Sequence, residues 1–206
     1  MQSIVLKILF LRSRESDLRL LGPVNYRGFP YFHFNGSWRT KLIIWYIDAK
    51  LPPMSAVSIK KLNSFLFLKV PAAWLCGVRI KEIGNNRCVV GVRHRWINQN
   101  PFNSMYFAVQ AMAAELSTGA LVMTSVQESG QRISMLVKSN EAVFTKKARG
   151  RIRFECKDGQ KVAQGMKAAL ASDQGQTFWM ESVGTDQSGE EVSRFRFEWS
   201  LKKRSN

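Results

Sequence analysis

Glu115 is the only acidic or basic side chain in the run from Phe102 to Leu121, FNSMYFAVQAMAAELSTGAL. The run has helical composition, and a helix with so few polar positions is buried on most sides. A carboxylate on such a helix is costly unless it is paired or put to use. Its helical neighbours at i−4, i−3, i+3 and i+4 are Ala111, Met112, Thr118 and Gly119. Three of these are small, which leaves room beside the carboxyl for water or a ligand. An apolar setting raises a carboxyl pKa and suits a general base near neutrality. The plainer alternative is an acid paired with an arginine for structure, or one reaching solvent at a helix edge.

A polar, turn-prone stretch leads into this helix: Asn98, Gln99, Asn100, Pro101, Asn103 and Ser104. Asn100 could hold a carbonyl or an attacking water, or could simply be a helix-entry turn residue. Ser104 reads as a cap-region hydroxyl rather than a nucleophile, because no G-x-S-x-G elbow surrounds it. The N–H groups near Met105 and Tyr106, at the positive end of the helix, could serve an oxyanion.

The elements that must position these residues follow from periodicity. Ser55–Lys69 fits a helix, which Pro71 ends. Arg79–Ile83 and Arg87–Arg93 read as two strands joined by Gly84-Asn85-Asn86. The apolar helix runs from about Phe102 to Leu121. Strand alternation follows at 133–138, and Val143–Lys147 continues or borders it. In 149–157 the odd positions Arg149, Arg151, Arg153, Glu155 and Lys157 face one way, and Gly150, Ile152, Phe154 and Cys156 the other. Gln160–Ser172 has helical spacing. Thr177–Val183 and Glu191–Leu201 form a last strand pair, with Phe195, Phe197, Trp199 and Leu201 on one face. If the Arg149/Arg151/Arg153 and Arg194/Arg196 strands are neighbours, their arginines form one patch. This order predicts an α+β domain, an antiparallel sheet wrapped around one central helix. Residues 1–53 differ: aromatic-rich, basic and broken by Gly and Pro, they read as an irregular extension outside the native product or packed on a domain spanning 54–206.

A net charge of +16, from 31 basic and 15 acidic side chains, biases the chain toward anionic partners. Nucleic acid is not expected, because no nucleic-acid motif accompanies the charge. No apolar run is long enough to span a bilayer, and the start lacks the pattern of a secretory signal, so a cytoplasmic location is expected. Three cysteines without a CxxC pair point to reduced thiols. His33 and His94 lie far apart, so no metal site is expected.

The residues around the central helix resemble those of the hot-dog fold. More narrowly, Asn98 to Ala108 followed by Ala113-Ala114-Glu115-Leu116 is similar to a thioesterase-like family catalogued as domain of unknown function 4442 (DUF4442), related to the phenylacetic-acid-pathway acyl-CoA thioesterases. The resemblance covers Met54 to Leu201. In the related enzymes an Asn precedes the helix, a His-Gly-Gly element opens it, and an acid follows nine positions after the His. Here Asn100 stands at the Asn position, Tyr106-Phe107-Ala108 replaces His-Gly-Gly, and Glu115 stands at the acid. The glycines normally let a thioester carbonyl approach backbone N–H groups, and Tyr106 and Phe107 are expected to crowd that space.

The resemblance implies an acyl-CoA thioesterase-like protein, with Glu115 as the base and Asn100 on the substrate oxygen. Asn98, Asn103, Ser104 and Tyr106 would line the substrate, and the acyl chain would run along Met105, Val109 and Met112. Arg149 and Arg151 would meet coenzyme A phosphates. The thioester is substrate, from coenzyme A or an acyl-carrier protein, and no cofactor is implied. A homodimer or dimer of dimers is implied, as hot-dog sites usually lie between subunits. The alternative is a non-catalytic acyl-CoA or lipid-binding module.

Overall fold

The computed structural model describes residues 59–172 and 174–204; the extension 1–53 lies outside the described residues. Chain order is α1 (Ile59–Lys69), α2 (Pro71–Leu75), β1 (Arg79–Ile83), β2 (Cys88–Arg93), a 3₁₀ turn (Trp96–Asn98), α3 (Phe107–Glu128), β3 (Ile133–Phe144), β4 (Arg151–Cys156), α4 (Gly159–Ala171), β5 (Gln176–Thr185) and β6 (Glu191–Lys203). The strands form one antiparallel sheet in the order β1-β2-β4-β5-β6-β3.

Alternation decides which face of this sheet is buried. In β4, Ile152, Phe154 and Cys156 are fully buried while Arg151 and Arg153 are exposed. In β6, Phe195, Phe197, Trp199 and Leu201 turn the same way. α3 packs against every strand of the sheet, which wraps around it. α4 covers β5 and β6 beside α3, and α1 packs on β1. α3 is long and apolar enough to cross a bilayer, but most of it is enclosed by the domain.

Three side-chain hydrogen bonds tie α3 to the inner face of the sheet. Ser193 of β6 donates to Gln110 Oε1 at 2.9 Å, Ser117 and Ser182 of β5 share a bond of 2.7 Å, and Trp199 Nε1 donates to Thr118 Oγ1 at 3.1 Å. Each satisfies polar atoms that would otherwise be buried without a partner. Together they set the rotation of the helix and the level at which it sits.

Some elements differ from the sequence reading. α3 begins at Phe107 and runs to Glu128, because residues 99–106 are spent on a folded loop in which Asn103 takes a left-handed φ of 55°, a conformation asparagine tolerates. The alternation at 133–138 and the start of the 143–147 stretch belong to one twelve-residue strand that ends at Phe144, with 145–147 beyond it. The arginines of β4 and β6 do not form one patch, because β5 lies between those strands. Arg194 is also bound by Glu181 and Glu191, and Arg196 by Glu141.

Gly159 opens α4 against the β1–β2 turn. A Cβ there would fall 2.2 Å from the Asn85 carbonyl oxygen and 2.4 Å from Asn86 Cα, both backbone atoms that cannot rotate away. Gly159→Ala is therefore expected to destabilise the domain by about 1–3 kcal/mol. Urea denaturation would show it as a lower midpoint with an unchanged slope.

Candidate active site

The loop before α3 is built from asparagines. Asn98 is almost fully buried. Its Oδ1 accepts from Arg95 N at 2.8 Å, and its Nδ2 donates to the carbonyls of Cys76 and Arg93, both at 2.9 Å. These bonds occupy the amide, so Asn98 holds the loop rather than lining a substrate, contrary to the sequence expectation. Asn100 Oδ1 accepts from Phe102 N, Ser104 N and Ser104 Oγ at 3.0–3.2 Å. Its oxygen is the knot of the turn, and only its Nδ2 remains to face a ligand. Ser104 is buried and bound to that knot. The Asn103 carbonyl accepts from Arg149 Nε at 3.0 Å.

An open cavity of about 450 Å³ lies over this loop and the first turn of α3. Asn100, Ser104 and Gln110 give it a polar side, Phe102, Met105, Phe107 and Phe144 an apolar side, and Lys147 a basic edge. Lys146 also lines it, tied to Asp186 at 2.8 Å and to Glu190. Val109 is buried in the core and Met112 does not line the cavity, so the expected acyl track along Met105, Val109 and Met112 is present only at Met105.

Backbone donors are redistributed as well. Met105 N donates to Ala148 O at 2.8 Å and Tyr106 N to Asn98 O at 2.9 Å, so neither is left for an oxyanion. Among the described residues the open donors at this helix end are Phe107 N and Ala108 N, since Val109 N and Gln110 N both reach Tyr106 O. Tyr106 and Phe107 are half exposed and lie edge to face, their ring centroids 4.9 Å apart, and Phe107 continues onto Phe144. Only Phe107 touches the cavity; Tyr106 turns outward.

Glu115 sits eight residues beyond the start of α3, about 12 Å along the axis, and does not line the cavity. Gly119 gives its carboxylate room: a Cβ there would lie 3.0 Å from Glu115 Oε1 and 3.2 Å from the Trp199 ring. No hydrogen bond or ion pair to the carboxyl is seen among the described residues. Burial pushes its pKa above the ordinary carboxylate value. A single chain thus holds a cavity with amide and N–H donors in one place and a protonatable acid in another.

Gln110 was missed by sequence reasoning. Its Oε1 is taken by Ser193 and its Nε2 donates to Met105 O at 3.2 Å, which fixes the cavity floor to β6. The available signal was an amide side chain in the interior of an otherwise apolar helix. Arg149 stands beside the loop, and Arg151 is exposed opposite Arg93 on the neighbouring strand. No cluster of three His, Cys, Asp or Glu side chains suited to a metal occurs among the described residues.

An antiparallel sheet wrapped around a long central helix, with a site at the helix entrance, defines a thioesterase-like hot-dog fold. The chain belongs to the DUF4442 family, a domain of unknown function whose pattern matches residues 59–201. No curated protein matches it. Among solved structures it is similar to a Pseudomonas aeruginosa protein of unknown function described as "Probable Thioesterase", at 24% identity and a TM-score of 0.61 over 70% of this chain and 96% of that one. A Chlorobaculum tepidum protein of unknown function gives 17% identity and a TM-score of 0.63 over 76% and 100%. A Haemophilus influenzae thioesterase gives 10% and 0.55 over 72% and 92%.

Asn98→Ala leaves two carbonyls and one N–H without partners, and is expected to cost about 2–3 kcal/mol in urea denaturation. Glu115 has the opposite sign. Its folded pKa is raised, so the folded state holds its proton more tightly than the unfolded state. Stability falls as pH rises from the ordinary glutamate range to the raised value. Glu115→Gln should therefore melt higher than the parent at neutral pH, and the gap should close below the ordinary range. Melting curves across pH would check this.

Proposed function

We propose that this protein is a thioester hydrolase of the hot-dog type, acting on an acyl group carried by coenzyme A or an acyl-carrier protein, with its site shared between two protomers. The observation that carries this reading is Glu115, a half-buried carboxyl with no partner among the described residues, set against Gly119 and the Trp199 ring. Such an acid is costly without a use, and its raised pKa suits the uptake of a proton from water near neutrality.

In this proposal Glu115 of one protomer faces the Asn100 cavity of the other. β3 supports the pairing: it is an edge strand of twelve residues, and Leu136, Val143 and Phe144 on it are exposed. A long open edge invites another strand, and a two-fold axis there would join both sheets into one. The acyl chain would lie against Phe102, Met105, Phe107 and Phe144. The thioester oxygen would take hydrogen bonds from Asn100 Nδ2 and the open N–H groups of Phe107 and Ala108. Glu115 removes a proton from water as the water attacks the carbonyl carbon. The C–S bond then breaks, and the thiolate takes up a proton to leave as thiol. Lys147, Arg149 and Arg151 would meet the carrier's phosphates.

A second reading, acyl-CoA or lipid binding without turnover, draws support from Tyr106-Phe107 in place of His-Gly-Gly and from the engagement of Tyr106 N by Asn98.

On an acyl-CoA panel, Glu115→Gln is expected to lower hydrolysis by at least about 100-fold while leaving ligand binding in place. Binding without turnover in the parent protein would establish the second reading. Mixing Glu115→Gln with Asn100→Ala tests the shared site. Random pairing makes half the dimers mixed, each with one intact site, so about a quarter of the parent rate should return. No recovery from a mixture that demonstrably exchanges subunits would place the acid and the cavity in separate roles.

A further inference from the structure

The ion pairs of this domain are unevenly distributed. On the sheet's outer face Glu82 meets Arg87 and Arg153, Glu155 meets Arg87 and Lys157, and Glu181, Glu191, Glu141 and Glu198 all hold basic partners. At the end of the sheet where β1 begins and β2 ends the pattern stops. Arg79, Arg93, Arg95, Arg149 and Arg151 take part in no ion pair with any described residue. They are close together: Arg93 and Arg151 stand opposite each other in the β2–β4 ladder, His94 N donates to Gly150 O at 2.7 Å, and burial, with the charge of nearby Arg95 second, lowers the Arg79 pKa. Like charges directly opposite on paired strands are unfavourable, and nothing among the described residues offsets them.

Apolar side chains project from the same end. Trp96 is 83% exposed, Ile97 52% and Phe102 71%, all on the loop between β2 and α3. Arg93 and Arg95 lie just before the first two in sequence. Phe102 lines the cavity together with Lys147. Exposed tryptophan and isoleucine are not held out in water for stability; beside a cluster of cations at the same end of the sheet they mark an interaction surface.

We infer that the loop 95–102, with Arg79, Arg93, Arg95 and Arg151 around it, docks the protein on an anionic lipid surface. Trp96 and Ile97 enter the headgroup layer, where an amphipathic ring is favoured, while the arginines meet lipid phosphates. The cavity mouth at Phe102 then opens toward the bilayer, so that an amphiphile could pass into it without crossing bulk water. A second copy of the chain is a poor occupant, because a two-fold contact through this patch would press the arginine cluster onto itself. This inference does not depend on hydrolysis at Glu115.

Vesicle sedimentation with the full chain tests it, comparing phosphatidylcholine with vesicles in which about a third of the lipid is phosphatidylserine. Binding is expected only to the anionic vesicles and should weaken as salt is raised. Arg93→Gln and Arg151→Gln should each lower the partition coefficient about five-fold, and Trp96→Ala about ten-fold. Lys167→Gln, an exposed position on α4, is the charge-matched control and should change little. All four side chains are exposed, so the fold is expected to survive, and circular dichroism verifies it. An equal loss from Lys167→Gln, or no loss from Trp96→Ala, would overturn the proposal in favour of diffuse charge attraction. Tighter Arg151-dependent binding to a single-stranded oligonucleotide than to the anionic vesicles would overturn it in favour of a soluble ligand.

Discussion

The fixing of one apolar helix inside a curved sheet governs the rest of this structure. α3 cannot rotate or slide without breaking the bonds of Gln110 to Ser193, Ser117 to Ser182 and Thr118 to Trp199. Those three side chains are the polar groups that the helix presents to the sheet, and each is satisfied there. Glu115 is half-buried on the same helix without a bond to its carboxyl among the described residues. Its burial costs stability at neutral pH, and the notch at Gly119 keeps it in place beside Trp199. A sequence selected for stability alone would place an alanine or leucine at 115.

The second half of the site comes from the loop rather than the helix. Its conformation is set by amide side chains that replace backbone bonds: Asn98 ties it to Cys76 and Arg93, and Asn100 closes its turn. This loop converts the helix entrance into a cavity while consuming the donors of Met105 and Tyr106. What remains, Asn100 Nδ2 with the N–H groups of Phe107 and Ala108, is a donor set placed two residues further along the chain than the sequence suggested.

The architecture was legible because period and burial agree. The alternation of β4 and β6 gave the inward face correctly, and the lone acid marked the central helix. The start of α3 was placed too early, because Phe102, Met105 and Tyr106 extend the apolar pattern of the helix while the backbone there is diverted into a turn by hydrogen bonds to the Asn100 side chain. The extension of the helix to Glu128 was missed because Thr124, Ser125 and Gln127 look like an end when read for polarity alone. In the site, type and spacing singled out Glu115 and Asn100 as candidates, whereas Gln110 was overlooked and the amide of Asn98, expected to line a substrate, is occupied by bonds within the loop. Both errors concern amides, whose role depends on which carbonyls and hydroxyls the fold brings within 3 Å, and that is a property of distant strands.

The account stands on the state of one carboxyl. Carbon-13 NMR of the protein labelled at glutamate side-chain carboxyls, with Glu115→Gln to assign the resonance, reads that state directly. The Glu115 signal should titrate above 4.5, the ordinary glutamate value, as its burial requires. A midpoint at or below that value would mean that the carboxyl is solvated or paired, and the case for an acid held in reserve for chemistry would fail.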